Sequence, residues 1–234
     1  MASRPRVLVV QHQDDCPPAL IGRWLLEAGC VVDIRRPYDG GLPLPLDLAD
    51  HEALLVLGGS MGANDDESHP WLASAKELVR VAAAERKPVL GICLGHQLAA
   101  VALGGTVEVN PAGRQFGVLP LGWTERASGD PLLGSLPGDV IHWNNDVVTR
   151  VPPGAVVLAH APDGSVQAAR FAGTVWGVQA HPEVDEAIVA RWAEDDRDHI
   201  GPELVDRRLA EMVAAGSALE AAWRPVAAAF AGLL

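Results

Sequence analysis

Pro88-Val89-Leu90-Gly91-Ile92-Cys93-Leu94-Gly95-His96-Gln97 passes from strand texture to helix texture with almost no loop between them. Pro88 to Ile92 is a short apolar run suited to a strand buried on both faces. Leu94 to Leu103 reads as a helix stopped by Gly104-Gly105. The residue at the junction is flanked as Gly-x-Cys-x-Gly, the thiol form of a nucleophile elbow. Small residues two before and two after the turn let strand and helix approach closely. The turn's side chain then projects at the carboxyl edge of the sheet, where open α/β sheets place their sites. A helix N-terminus, with unpaired N–H groups and a favourable dipole, also favours thiolate over thiol. An inert buried cysteine at a strand end gives the same pattern about as often, so the elbow needs a base to become a site.

Outward from this stretch, the N-terminal half alternates strands and helices. Arg6 to Gln11, Val31 to Arg35 and Ala53 to Leu57 are strand candidates. A helix follows Pro17-Pro18 and ends at Gly29, a second runs from Pro70 to Arg86, and Pro37 to Pro45 is a Gly- and Pro-rich loop. This order predicts an α/β three-layer sandwich, a mostly parallel sheet with helices on both faces. After Thr106 the candidates become short strands: 106–109, 116–121, 140–143, 155–159, 166–171 and 174–179. Pro162-Asp163-Gly164 and Ala172-Gly173 mark hairpins among them. From Val184 the pattern is helical, over 184–197, 202–214 and 217–230. The expectation is one domain over 1–234, a catalytic core over 1–183 followed by a helical extension over 184–234.

Composition sets the limits. The 234 residues are 49% hydrophobic and 21% charged, with a net charge of −12. That is globular composition with room for a sizeable core. The acidic balance argues against nucleic-acid binding by phosphate neutralisation and against a basic membrane-binding patch. Met1 to Val10 lacks the long apolar core of an export signal, and Pro225 to Leu234 is too short to span a bilayer. Cys16, Cys30 and Cys93 form neither a disulfide framework nor a metal-ligand spacing, and the histidines show no zinc spacing. These features predict a cytoplasmic protein with no metal-ligand spacing.

The base that the elbow needs follows the strand candidate 174–179, in Gln179-Ala180-His181-Pro182-Glu183. A cysteine nucleophile requires an imidazole within reach and a third group to orient it, assembled in space rather than in sequence. His181 and Glu183 are two apart, so an extended backbone turns both side chains to one face.

With Leu57-Gly58-Gly59-Ser60-Met61-Gly62 added to the elbow and to His181-Pro182-Glu183, the sequence resembles the class I (triad) glutamine amidotransferases. It lies close to the glutaminase domain of GMP synthetase, over roughly Val7 to Glu183. The resemblance implies a flavodoxin-like sheet, with Cys93 as nucleophile, His181 as acid/base and Glu183 orienting His181. It also implies an oxyanion hole from the N–H groups of Gly59 and Leu94. Gly58, Met61, Gln97, Asn144, Asn145 and Asp146 would surround the substrate, with Asp146 near its amino group. The implied reaction is hydrolysis of the L-glutamine side-chain amide through a γ-glutamyl thioester. Ammonia would pass to a separate acceptor subunit, since no ATP-binding acceptor domain is expected after Glu183. Two alternatives stand beside it: a free-standing γ-glutamyl amide or peptide hydrolase, and a non-catalytic regulatory subunit. A homo-oligomer is compatible with all three.

The sequence departs from that pattern in two places. Asn144-Asn145-Asp146 stands where GMP synthetase relatives usually carry His-Gly-Asp, and Ala180 stands where an aromatic is usual. Glu194-Asp195-Asp196 and the other carboxylate runs read as solvated faces. Arg114 and Arg170 are open candidates for contact with a ligand or partner. The tryptophans read as packing groups rather than a base-stacking platform.

Overall fold

The computed structural model describes residues 4–40, 44, 47–134, 136 and 138–234. Part of the loop expected over 37–45 therefore lies outside the described residues, as does the start of the 1–10 segment. The chain begins β1 (Arg6–Val10), α1 (Ala19–Glu27), β2 (Val31–Arg35), β3 (Ala53–Val56), α2 (Trp71–Ala84), β4 (Val89–Ile92) and α3 (Leu94–Ala102). Strands dominate the next part: β5 (Thr106–Val109), β6 (Gln115–Pro120), β7 (Gly122–Trp123), β8 (Asp139–Asn144) and β9 (Asp146–Arg150). Then come β10 (Val156–His160), β11 (Val166–Ala172) and β12 (Val175–Val178), followed by α4 (Glu186–Ile200), α5 (Pro202–Trp223) and α6 (Pro225–Ala231).

β1 shows why the sheet lies between two helical layers. Its side chains alternate faces. Val7 and Val9 join Ile21, Trp24 and Leu25 of α1 in one core, while Leu8 and Val10 join Leu72, Leu78 and Val79 of α2 in the other. Strands β2, β1, β3, β4 and β12 lie side by side and parallel. The sheet continues antiparallel through β11, β10 and β7. The expected turns at 162–164 and 172–173 connect two of these antiparallel pairs. The sheet is thus the mostly parallel, helix-covered one that the alternation predicts, with an antiparallel wing.

The C-terminal helices are built into this frame. Trp223 and Phe230 are buried in the same core as β1 and α1, and the Trp223 indole N–H donates to the Asp139 carbonyl at 2.9 Å. α4 and α5 cover the two-stranded β6–β8 sheet through Phe116, Ile141, Trp143, Val189, Trp192, Val205 and Met212. Among the described residues, no helix is long and apolar enough to cross a membrane.

The sequence pattern puts a helix break between Ala214 and Ser217, but α5 runs through Gly216 and breaks at Arg224 and Pro225 instead. Glycine inside a helix costs about 1 kcal/mol, whereas proline removes a hydrogen bond and clashes with the preceding turn. The proline therefore decides where α5 stops. A Cβ at Gly216 meets nothing within 4 Å. Gly216→Ala is accordingly expected to raise stability by about 0.5–1 kcal/mol, read as a higher urea midpoint at unchanged slope; an unchanged or lower midpoint contradicts it.

Candidate functional site

The elbow takes the strained form that its glycines permit. Cys93 has φ 51° and ψ −108°, a region a side-chain-bearing residue holds only when its surroundings fix it. The surroundings do so. The Cys93 N–H donates to the Val178 carbonyl of β12 at 2.9 Å, and the Gly95 N–H to the Leu57 carbonyl at 3.1 Å. A Cβ on Gly95 would lie 2.6 Å from the Val56 carbonyl carbon, and one on Gly91 would lie 2.7 Å from the His96 nitrogen. Both are closer than real Cβ contacts, so strand, helix and β3 meet here only through glycine.

Three strand ends converge on Cys93. β3 delivers Gly58 and Gly59, β4 delivers the cysteine, and β12 leads through Gln179 to His181. The His181 N–H donates to the Ile141 carbonyl of β8 at 2.7 Å, and the Glu183 carbonyl accepts from the Leu20 N–H at 2.9 Å. With its backbone held at both ends, the His-Pro-Glu segment sets Glu183 Oε1 2.8 Å from His181 Nδ1. Both side chains are buried. Gly58 matters here through what it lacks: its Cβ would stand 3.2 Å from His181 Cε1 and 3.5 Å from Cys93 Cβ.

The electrostatics follow the same grouping. Burial alone would lower the His181 pKa. The negative charges of Cys93 and Glu183, with hydrogen bonds to both, outweigh it and hold the imidazole well above its ordinary 6.5. Burial, and then Asp65, raise the Asp146 carboxyl. The amide N–H groups of Gly59 and Leu94 make no hydrogen bond among the described residues.

A cavity of about 410 Å³ opens over this group. Gly59, Met61, Cys93, Gln97, Asn144, Asn145, Asp146 and His181 all line it, so most of the expected site residues come together there. Leu94, the first residue of α3, does not line it; Gly58 stands against His181, and Glu183 is the buried partner of the imidazole. Gln97 is not a helix-surface amide: it is buried and donates to the Asp146 carbonyl at 3.0 Å and to Gln179 Oε1 at 3.1 Å. Asn144 donates to Gln115 Oε1 at 3.1 Å. Among the described residues, no three His, Cys, Asp or Glu side chains gather as a metal site.

Residues 19–188, most of the chain, match the glutamine amidotransferase class-I family. The chain belongs to the class I glutamine amidotransferases. It is 30% identical to the glutamine amidotransferase-like protein YfeJ of Salmonella typhimurium, over 88% of this chain and 89% of that one. It is 33% identical to one subunit of the glutamine-hydrolysing GMP synthase of Ignicoccus hospitalis, over 64% of this chain and 74% of that one. Identity is 32% to a Pseudomonas γ-glutamyl-L-1-hydroxyisopropylamide hydrolase, over 65% of this chain and 54% of that one. A glutamine amidotransferase from Thermotoga maritima shares the fold, with a TM-score of 0.85 at 23% identity over 98% and 99% of the two chains.

In this class I amidotransferase, several cavity residues carry no motif. Trp192, Asp195 and Asp196 come from α4, and Gln13, Asp15 and Cys16 from the segment after β1. The acidic run Glu194-Asp195-Asp196 is therefore only partly a solvated face. Asp196 pairs with Arg114 through both guanidinium nitrogens and accepts from the Trp143 indole N–H at 2.7 Å. The usable signal was the spacing of Trp192 and Asp196, four apart on one helical face. Arg170 instead lies 3.7 Å from Asp130, away from the cavity.

Three further histidines sit neutral beneath the amidotransferase site. Burial lowers His12 to about 3 and His96 and His142 to about 4. As pH falls below 6.5 the unfolded chain binds protons that these side chains refuse in the fold, so stability falls with pH. His181, shifted upward, acts in the opposite sense, but its contribution is nearly complete once pH is below 6.5. The three neutral histidines therefore set the slope. The urea midpoint is expected to drop steadily from about pH 6.5 to about pH 5; a flat or rising midpoint contradicts it.

Proposed function

We propose that the chain hydrolyses the side-chain amide of L-glutamine through a Cys93–His181–Glu183 triad. The observation that carries this reading is the buried His181–Glu183 hydrogen bond, with its imidazole facing Cys93 on the strained elbow. The upward shift of the His181 pKa favours an imidazole that carries a proton to give to the leaving nitrogen. Cys93 Sγ attacks the amide carbon, forming the C–S bond. The N–H groups of Gly59 and Leu94 receive the oxyanion, a contribution of about 2.7–4 kcal/mol for one such donor in a comparable hydrolase. His181 then gives its proton to the leaving nitrogen, the C–N bond breaks, and a γ-glutamyl thioester remains. Water, giving a proton to the now neutral His181, breaks the C–S bond and releases glutamate.

Gln97, Met61 and the 144–146 segment, with Gly58 behind them, form the glutamyl pocket, Asp146 facing the amino group. The reaction uses no metal or organic cofactor. The chain functions as one catalytic domain in the cytoplasm and passes ammonia to a separate acceptor subunit, as the likeness to one subunit of a GMP synthase supports. A second reading, favoured by the likeness to a γ-glutamyl amide hydrolase, keeps the chemistry and replaces ammonia by a larger amine. Turnover of glutamine and of γ-glutamyl alkylamides by the purified chain separates them. Glutamine turnover that rises with an added acceptor subunit supports the first; faster turnover of the alkylamides supports the second; hydrolysis of neither overturns both.

A further inference from the structure

His181 is held through Nδ1 by Glu183 and also bonds to Cys93. Those bonds fix the tautomer, and packing against its neighbours sets the tilt of the ring. The ring meets Gly58, whose missing Cβ lets it come close. The ring also packs against Trp192 of α4, with ring centroids 4.8 Å apart and planes 67° apart.

Trp192 is itself held at several points. Its indole N–H donates to the Asp15 carbonyl at 3.0 Å, and Trp143 packs against it with centroids 5.4 Å apart. Trp143 is fixed in turn by Phe116, at 4.5 Å and nearly perpendicular, and by its hydrogen bond to Asp196. Asp196 is on α4 one turn beyond Trp192 and pairs with Arg114, whose guanidinium carbon lies 5.9 Å from the Trp143 ring. The helix that carries Trp192 is thus bound to the β6–β8 sheet and the residue before it by one charged pair, one hydrogen bond and one aromatic contact. Such redundancy is needed where one ring must hold another in place.

We propose that Trp192 is a positioning residue for His181, packing against the imidazole so that it meets Cys93 and the leaving nitrogen at a fixed tilt. The indole is also a favourable neighbour for the imidazolium, by the attraction of a cation to an aromatic ring. The other ionisable groups around the imidazole are Cys93 from the elbow, Glu183 from its own segment and His142 from β8. Asp15 and Cys16 after β1, and Asp195 and Asp196 of α4, border the same cavity. Loss of the Trp192 ring should therefore be felt as misplacement and as weaker hold on the proton.

The inference rests on the proposed triad, and the test keeps the two apart. Trp192→Phe preserves a ring against His181, whereas Trp192→Leu fills space without one. The Leu variant is expected to lose about 10–100-fold in kcat, the scale of a small misplacement of a reacting group. The alkaline limb of its pH profile should move to lower pH, because less favours the imidazolium. The Phe variant should recover most of the rate and the wild-type limb. Equal rates and equal pH profiles for the Leu and Phe variants overturn the role of Trp192. Wild-type hydrolysis by Cys93→Ala would instead overturn the triad beneath it.

Discussion

Cys93→Ala is expected to reduce glutamine hydrolysis by at least about 10⁴-fold while leaving the fold intact. The magnitude follows from the way triads work: removing the nucleophile removes the covalent route, and what remains is the small catalysis of binding and oxyanion contacts. The fold should survive because Cys93 contributes little that alanine cannot replace. Its Cβ already occupies the elbow, its thiol faces the cavity, and its backbone bond to Val178 is unchanged. Alanine at a positive φ is as acceptable as cysteine there, since both carry one Cβ. Turnover with unchanged circular dichroism and urea midpoint is the check. Loss of both activity and fold would remove the inference from activity.

Gly95→Ala is expected to have the largest effect on the fold itself. Its new methyl would stand 2.6 Å from the carbonyl carbon of Val56, and neither partner is a flexible side-chain end that could turn aside. Either α3 lifts from β3 or the Gly95–Leu57 hydrogen bond breaks. Overpacking typically costs about 1–3 kcal/mol where side chains can yield. Backbone against backbone should exceed about 3 kcal/mol, a large part of the roughly 5–15 kcal/mol that holds a domain together. A variant that folds should still lose hydrolysis, because the shift moves Cys93 relative to His181. Wild-type stability and activity together would show that the strand–helix approach is looser than described.

The contrast between these two positions explains what was legible in the sequence. The elbow is a local object: two glycines, one cysteine, a strand before and a helix after, all within one short stretch. The His-x-Glu pair is equally local. Both therefore carry a sequence pattern that the fold preserves. The parallel strands are legible too, because burial on both faces forces unbroken apolar runs such as Val7-Leu8-Val9-Val10 and Leu54-Leu55-Val56.

What the sequence hid is non-local. β9 pairs with β5, with Glu108 opposite Val147, so no turn signal announces it and 146–150 is not among the strand candidates. Asp195 and Asp196 look like any charged run until α4 folds back and Arg114 and Trp143 meet them. Gln97 is buried and bonded to Gln179, and Gln115 is buried against Asn144, links that no spacing announces. Their meaning depends on partners far away in the chain, which composition and spacing do not encode. The helix break at Pro225 rather than Gly216 is a matter of magnitude: two breakers were present, and the costlier one decided.

The triad is tested most directly by treating the chain with a glutamine-mimicking electrophile and locating the modification by peptide mass spectrometry. A single label per chain is expected, on Cys93, slowed by added glutamine and absent from Cys93→Ala. An unlabelled Cys93, together with undiminished glutamine hydrolysis by Cys93→Ala, would contradict it.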